Sequence, residues 1–144
     1  MSKPIHCILL VDDDPDDNFL HRMVIDESGL CDEIRVAENG LDALAYLTQT
    51  DAPDYVRPDV ILLDINMPGM NGFEFLNEYE TLDERFKSRL VVVMLTTSLN
   101  PSDVKRAGQF SDLGGYRNKP LTRDMLQDIV DAYFSGQPAS VPAA

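Results

Sequence analysis

The feature that most constrains the fold is a set of short, almost uninterrupted apolar runs, separated by segments with helical periodicity. The clearest runs cover residues 5–11, 60–63 and 90–95, while residues 34–37 and 115–118 are weaker candidates. Strands covered on both faces lose the alternation of polar and apolar residues, and parallel sheets bury both faces. The pattern therefore predicts an α/β domain built on buried parallel strands.

The segments between these runs are predicted to form five helices. In the first, over about residues 16–28, we expect the core-facing apolar stripe to comprise Phe19, Leu20, Met23 and Val24, with Asp14 as N-cap and Gly29 as the stop. The second is marked by Leu41, Leu44 and Ala45, the third by Phe73, Leu76 and Tyr79, and the fifth by Leu126, Ile129, Val130 and Tyr133, while the fourth begins near Asn100. Five strand–helix units predict a doubly wound α/β domain with a five-stranded parallel sheet.

Length, charge and cysteine content exclude several classes of function. The 144 residues suit one domain, which we expect over residues 1–134, followed by a flexible tail over residues 135–144. The net charge of −13 disfavours nucleic acid as a partner, and no apolar run suits a signal peptide or a membrane helix. We therefore expect a cytoplasmic protein. Cys7 and Cys31 are too few for a disulfide framework, and Cys7 is expected to be a buried apolar residue.

Polar residues follow the predicted strands at the points where the strands end. Asp12, Asp13 and Asp14 follow the first strand, Asp64 the third, residues 96–98 (Thr-Thr-Ser) the fourth and Lys119 the fifth. The carboxyl ends of parallel strands meet at one edge of the sheet, where ligands bind in this class of fold. We therefore expect carboxylates, hydroxyls and an amine to converge on one site.

The chemistry that suits this cluster is phosphoryl transfer assisted by Mg²⁺. Two carboxylates about 4 Å apart repel one another by roughly 4 kcal/mol at an effective dielectric constant near 20, and a divalent cation removes that repulsion. Lys119 would add positive charge beside phosphoryl oxygens, and Thr96 would add a hydroxyl donor. A carboxylate in this setting can act as a nucleophile and form an acyl phosphate.

Four segments of the chain resemble motifs of the response-regulator receiver domains of two-component signalling. They are ILLVDDD at residues 8–14, ILLDINMPGMNG at 61–72, VVMLTTS at 92–98 and GGYRNKPL at 114–121. The resemblance covers about residues 5–133 and implies the flavodoxin-like receiver fold. The long segment over residues 48–58, together with residues 96–98 and the helix after Pro101, is similar to single-domain regulators paired with phytochrome-type histidine kinases.

The resemblance also implies a role for each residue of the cluster. Asp64 would accept the phosphoryl group, Asp13 would bind Mg²⁺ directly, Asp12 would act largely through water, and the backbone carbonyl of Asn66 would be the remaining protein ligand. Lys119 would pair with the phosphoryl group and precede a cis-proline, Pro120. Thr96 and Tyr116 would form the conformational switch, and Asn66 and Ser98 would tune dephosphorylation. Thr97 stands where a smaller residue is common in the family.

The implied function is a signalling switch rather than an enzyme with a separate substrate. The phosphoryl donor would be a sensor histidine kinase or a histidine phosphotransfer protein, and the receiver would catalyse its own phosphorylation and dephosphorylation. A downstream protein is expected to bind the face formed by the fourth helix, the fifth strand and the fifth helix. The same face is a candidate surface for a homodimer.

Two other functions remain open from the residues alone. A haloacid-dehalogenase-type phosphatase would use Asp12 as its nucleophile, although Thr-Thr-Ser stands where that family has an acidic pair. A receiver-like module that binds its partner without being phosphorylated would leave the cluster unused, and the complete set of polar residues argues against it.

Several residues close to the cluster have an ordinary structural interpretation. Asp14, Asp16 and Asp17 suit a helix N-terminus, where a carboxylate caps backbone N–H groups and interacts favourably with the helix dipole. His21 is expected to be an exposed surface residue on the polar side of the first helix.

Overall fold

The computed structural model describes residues 3–97 and 100–133, in which five strands alternate with five helices. The strands are β1 (Ile5–Val11), β2 (Cys31–Ala37), β3 (Val60–Leu63), β4 (Val91–Thr96) and β5 (Leu113–Asn118). The helices are α1 (Pro15–Ser28), α2 (Gly40–Thr48), α3 (Gly72–Glu80), α4 (Pro101–Ala107) and α5 (Arg123–Tyr133), with a short 3₁₀ helix at Glu84–Phe86. The predicted doubly wound α/β fold is confirmed. The expected tail over residues 135–144 lies outside the described residues.

All five strands are parallel and lie in the order β2-β1-β3-β4-β5. β2 lies on one side of β1, and β3 lies on the other side. The direction in which strands are added to the sheet therefore reverses between β1 and β3. In open parallel sheets, such a reversal leaves a crevice at the carboxyl ends of the two strands, and ligands bind there. The topology therefore places the candidate site at the ends of β1 and β3.

The three inner strands, β1, β3 and β4, are almost entirely apolar because each face of the sheet carries its own core. Leu9, Val11 and Leu63 belong to the core beneath α2 and α3. Ile8 and Leu10, the alternate residues of β1, belong to the core beneath α1 and α5. Successive side chains of a strand point to opposite faces, so both sets must be apolar.

Two strands extend beyond their predicted starts. β2 begins at Cys31 rather than at residue 34, and β5 begins at Leu113 rather than at residue 115. These are the edge strands of the sheet, and their first residues pair with Ile5 of β1 and Val92 of β4. Edge strands are partly open to solvent, and their composition is therefore a weaker signal of their length.

The predicted core-facing stripe of α1 is wrong. Phe19, Leu20 and Met23 are 63%, 51% and 42% exposed, while Val24 is half-buried against the core. The buried face of α1 consists of Asn18, His21, Ile25 and Ser28. Two of the polar members form hydrogen bonds that offset their burial: the Asn18 amide donates to the Asp12 carbonyl (2.9 Å) and the Ser28 hydroxyl donates to the Ile25 carbonyl (2.6 Å).

The other helices follow their predicted patterns more closely. Phe73, Leu76 and Tyr79 of α3 are buried, and so are Leu126, Ile129 and Val130 of α5. The exceptions are Leu41, which is 64% exposed while Ala43 and Leu47 anchor α2, and Tyr133, which is 41% exposed. No helix among the described residues combines the length and the apolar character needed to span a membrane.

Candidate functional site

Asp12 and Asp64 lie side by side at the crevice. The register of β1 and β3 pairs Val11 with Leu63, the last residue of each strand. Asp12 and Asp64, which follow directly, therefore lie at the same level of the sheet. Both aspartates are buried, with 4% and 7% of their surface exposed. Together with the more accessible Asp13, they bring three carboxylates to one point, with one oxygen from each lying within 4.8 Å of the others.

Asp12 is held in place by its own neighbours. Its Oδ1 accepts a hydrogen bond from the backbone N–H of Asp14 (3.0 Å), and its carbonyl accepts one from the Asn18 side chain (2.9 Å). Asp14 in turn caps α1, since its carboxylate accepts from the N–H groups of Asp16 and Asp17. The predicted cap is confirmed, and it fixes the turn that carries two of the three carboxylates.

Lys119 enters this cluster from the end of β5. The bond between Lys119 and Pro120 is cis, as the family resemblance implied, and the Lys119 backbone N–H donates to the Thr96 carbonyl (2.8 Å). Its Nζ donates to Asp12 Oδ2 (2.8 Å) and Asp17 Oδ2 (2.6 Å) and lies 3.6 Å from Asp64 Oδ1. The ammonium, whose side chain is 9% exposed, thus lies among three carboxylates.

The electrostatics of the site follow from burial and from these contacts. Burial raises the pKa of Asp64 to about 6; the Lys119 charge opposes this rise and the Asp12 charge adds to it. Burial disfavours the charged form of Lys119, but its hydrogen bonds to Asp12 and Asp17 outweigh that effect and raise the pKa of the ammonium. At neutral pH the site therefore holds a charged lysine beside an ionised Asp64.

The donor set fits a hard divalent cation. Its side-chain donors are carboxylate oxygens, which Mg²⁺ and Mn²⁺ prefer over nitrogen and sulfur ligands. Asp12, Asp13 and Asp64 bring more negative charge than Lys119 alone can balance. Asn66 lies two residues after Asp64 in the loop that borders the same cleft, where a backbone carbonyl is a further oxygen donor.

The carboxylates open onto a cleft of about 560 Å³ at the surface. It is lined by Asp13, Asp14, Pro15, Asp17, Asp64, Asn66, Thr97 and Lys119. Thr97, which is exposed, lines the same cleft as Asp64. A small anionic group can therefore reach the Asp64 carboxylate from solvent.

The loop after Asp64 is kept tight by Gly72. A Cβ atom at this position would meet the backbone carbonyl oxygen of Asp64 and would come within 2.9 Å of the Ile65 Cα. The Gly72 N–H donates to the Ile65 carbonyl (2.8 Å), and Asn71 with Glu74 forms a capping box that starts α3. The start of α3 thereby fixes the backbone that follows the central aspartate.

The two residues predicted to form a switch lie on neighbouring strands. Thr96 is the last residue of β4 and is fully buried. Tyr116 lies on β5, is half-buried and packs against the core beneath α2 and α3. Ser98, predicted to tune the rate of dephosphorylation, lies outside the described residues.

Sequence reasoning missed two residues beside the site. The sequence predicts a helix-dipole role for Asp17, but its carboxylate makes the shortest ion pair with Lys119. His21, one turn further along α1, is predicted to be exposed, but only 3% of its surface is exposed. Burial and the nearby Lys119 charge lower the pKa of His21. The i, i+4 spacing of Asp17 and His21 indicates that they share one face of α1. The apolar residues beside them, however, predict that a different face of the helix is buried.

The geometry and the comparisons identify the class of protein. The sequence model of the response regulator receiver domain matches residues 8–131, and the chain belongs to that family. A curated relative, the response regulator Rcp1 of Synechocystis, is 38% identical over 104 residues, which are 72% of this chain and 69% of the relative.

Solved structures agree with this assignment. A two-component response regulator from Cytophaga hutchinsonii superposes with a TM-score of 0.80 at 32% identity, covering 89% of this chain and 96% of that one. The Mn²⁺-bound form of Rcp1 superposes with a TM-score of 0.73 at 32% identity, covering 91% and 96%. The family assignment from the four sequence motifs is thus confirmed, and the phosphatase and binding-module alternatives are not favoured.

Proposed function

We propose that this receiver domain accepts a phosphoryl group on the Asp64 carboxylate and that the modification changes its affinity for a partner protein. The observation that carries the proposal is the position of Asp64, at the strand-order reversal, with Asp12 and Asp13 on one side and the Lys119 ammonium on the other. Of the three carboxylates that contact Lys119, Asp64 makes the longest contact, at 3.6 Å, and it lines the cleft.

The chain's own residues supply positioning and charge. An Asp64 oxygen attacks the phosphorus atom, an O–P bond forms, and the P–N bond of a phosphohistidine donor breaks, leaving a neutral imidazole once a proton is taken up. A carboxyl group with a pKa of about 6 is mostly ionised at neutral pH, as a nucleophile must be. Lys119 neutralises negative charge on the phosphoryl oxygens, and the Thr96 hydroxyl is the proposed donor to one of them.

Mg²⁺ is the proposed cofactor. Asp12, Asp13 and Asp64 would hold it, together with the backbone carbonyl of Asn66. When bound, the cation neutralises charge on the carboxylates and on the incoming phosphoryl group. The all-oxygen donor set supports a hard divalent ion, and the Mn²⁺-bound form of the similar regulator Rcp1 supports a metal in this fold.

The proposed phosphoryl donors are a sensor histidine kinase or a histidine phosphotransfer protein, as suits the receiver family. The proposed output is a shift between two conformations through Thr96 and Tyr116, read by a downstream protein at the α4-β5-α5 face. Two exposed apolar side chains, Val104 on α4 and Tyr133 on α5, support a protein contact on these elements. A homodimer through the same face remains part of the proposal. Asn66 and Ser98 are proposed to tune dephosphorylation.

The test is the intact mass of the protein after incubation with acetyl phosphate. We expect the wild type to gain one phosphoryl group with Mg²⁺ and none with EDTA, and Asp64→Asn to gain none under either condition. Asp54→Asn, an exposed aspartate in the loop after α2, is the matched control and should be modified like the wild type. An adduct that survives in Asp64→Asn but disappears in Asp12→Asn would refute the proposal and favour the phosphatase chemistry.

A further inference from the structure

Asp17 makes a contact that neither helix capping nor the helix dipole explains. It lies in the first turn of α1, with its side chain 32% exposed at the cleft. Its Oδ2 accepts a hydrogen bond from Lys119 Nζ at 2.6 Å, shorter than the 2.8 Å contact between that Nζ and Asp12. A charge-assisted bond of this length is among the stronger hydrogen bonds in proteins.

This contact determines where the ammonium of Lys119 points. The ammonium has three N–H donors, and two of them are used by Asp12 and Asp17. Asp64 Oδ1 lies 3.6 Å away, which is longer than a well-formed hydrogen bond. Lys119 is therefore drawn toward α1 and away from the carboxylate on which the phosphoryl group is proposed to form.

We propose that Asp17 is a positioning residue that holds Lys119 while Asp64 is unmodified and competes with the phosphoryl group for the same ammonium. The inference rests on the proposed function, since it needs a phosphoryl group at Asp64. That group brings about two negative charges close to Lys119. The negative charge of the Asp17 carboxylate repels the phosphoryl group. Asp17 also accepts a hydrogen bond from one N–H group of Lys119, which would otherwise be able to donate to a phosphoryl oxygen.

The same carboxylate acts in the opposite direction on a metal ion. Its negative charge attracts a cation at Asp12, Asp13 and Asp64, and its bond to Lys119 keeps the ammonium from pairing more closely with Asp64, which lies 3.6 Å from Nζ. Removing the Asp17 charge should therefore weaken binding of Mg²⁺ and strengthen binding of a phosphoryl group. A residue with only a structural role would not move the two affinities in opposite directions.

The experiment compares Asp17→Asn with Asp16→Asn. Both variants remove one negative charge from the first turn of α1, but Asp16 is exposed and its neighbour Asp17 makes the contact with Lys119. Mg²⁺ alone is titrated by isothermal calorimetry. Beryllofluoride, which mimics a phosphoryl group on a carboxylate, is titrated in saturating Mg²⁺ and followed by ¹⁹F NMR. Thermal unfolding of the metal-free proteins confirms that each variant is folded.

We expect Asp17→Asn to weaken Mg²⁺ binding by about threefold to tenfold and to strengthen beryllofluoride binding by a similar factor, on the scale of one charge at this range. Asp16→Asn should change each affinity by less than about twofold, because that charge is exposed and screened. Beryllofluoride binding that is unchanged or weaker in Asp17→Asn, with a normal wild type, overturns this inference alone. A wild type that binds no beryllofluoride overturns the proposed function together with it.

Discussion

At the scale of single residues, Lys119 supplies the positive charge that balances the buried carboxylates of the site. Its ammonium compensates two buried carboxylates, Asp12 and Asp64, and both pairs have little access to solvent. Removing one partner of a buried ion pair leaves an uncompensated charge, which costs more than the pair itself contributes. The stability of the protein without metal should therefore depend on this one side chain.

Lys119→Met should lower the free energy of unfolding by about 3 kcal/mol in EDTA, because the side chain keeps its volume but loses its charge. Millimolar Mg²⁺ should restore much of the lost stability, because a cation bound at the cluster balances the negative charge of the carboxylates in place of Lys119. In this variant no ammonium competes with the cation for those carboxylates. Urea unfolding followed by circular dichroism measures both values. Lys105→Met, at an exposed position on α4, is the control and should change little in either condition. Equal stability of Lys119→Met and wild type in EDTA would contradict this account.

Gly72 is the second residue on which the site depends. Gly72→Ala should lower the free energy of unfolding by about 2 kcal/mol or more, because the added Cβ meets the backbone of Asp64 and Ile65, which cannot move away as a side-chain end can. Gly108→Ala is the matched control. Its Cβ would lie no closer than 3.5 Å to the nearest backbone atom, and its φ of −64° suits alanine.

Chemical denaturation of the two glycine variants measures the difference. Gly108→Ala should stay within about 1 kcal/mol of the wild type, and a small gain would be consistent with the reduced freedom of its unfolded chain. A Gly72→Ala protein as stable as Gly108→Ala would mean that the loop after Asp64 can relax, and that α3 does not fix it.

At the scale of elements, the orientation of α1 is the main departure from expectation. Its apolar residues divide between two faces: Ile25 is fully buried, whereas Phe19 is 63% exposed. The buried face includes Asn18, whose amide reaches the Asp12 carbonyl, so α1 is oriented partly by a polar contact at the site. The helix thereby presents Asp17 to Lys119 and leaves Phe19 on the surface.

This orientation predicts opposite results for two alanine substitutions on the same helix. Ile25→Ala should cost about 3 kcal/mol of unfolding free energy, because it removes a buried side chain and leaves a cavity. Phe19→Ala should stay within about 0.5 kcal/mol of the wild type. Guanidinium denaturation of both variants decides the matter. A larger loss of unfolding free energy for Phe19→Ala than for Ile25→Ala would mean that the face predicted from periodicity alone is the buried face of α1.

At the scale of the whole molecule, both cysteines lie in the interior. Cys7 and Cys31 are 0% and 3% exposed and neither forms a disulfide. Burial, with the charge of Cys31 adding to it, raises the pKa of the Cys7 thiol to about 12. Burial likewise raises the pKa of Cys31 to about 11, against opposing backbone hydrogen bonds. The thiolate is the reactive form, so raised pKa values make both residues unreactive at ordinary pH.

A thiol-specific reagent should therefore report the integrity of the fold. At pH 8, dithionitrobenzoate should leave the native protein unmodified over the time in which it modifies both cysteines of the protein in guanidinium. The release of thionitrobenzoate, followed by absorbance, gives the number of accessible thiols. Rapid reaction of one thiol in the native state would show that the sheet opens near β1 or β2.

The sheet and most of the site could be predicted from the order of residues alone. Uninterrupted apolar runs identified β1, β3 and β4, because a strand between two helical layers needs apolar side chains on both faces. The residues after those strands predicted the cluster, because parallel strands end at one edge whatever the rest of the chain does. Asp12, Asp13, Asp64 and Lys119 accordingly lie where the prediction put them.

The orientation of α1 against the sheet, and the choice of acidic residues that contact Lys119, depend on the packing of the folded domain. Periodicity shows that a helix has two faces, but the face that is buried depends on contacts with the sheet, and on α1 several of those contacts are polar. The pair between Asp17 and Lys119 joins residues 102 positions apart, and its second member comes from another strand end. The local sequence around an acidic residue in the first turn of a helix is the same whether its carboxylate faces solvent or an ammonium. Only the packing of the whole domain distinguishes these two environments.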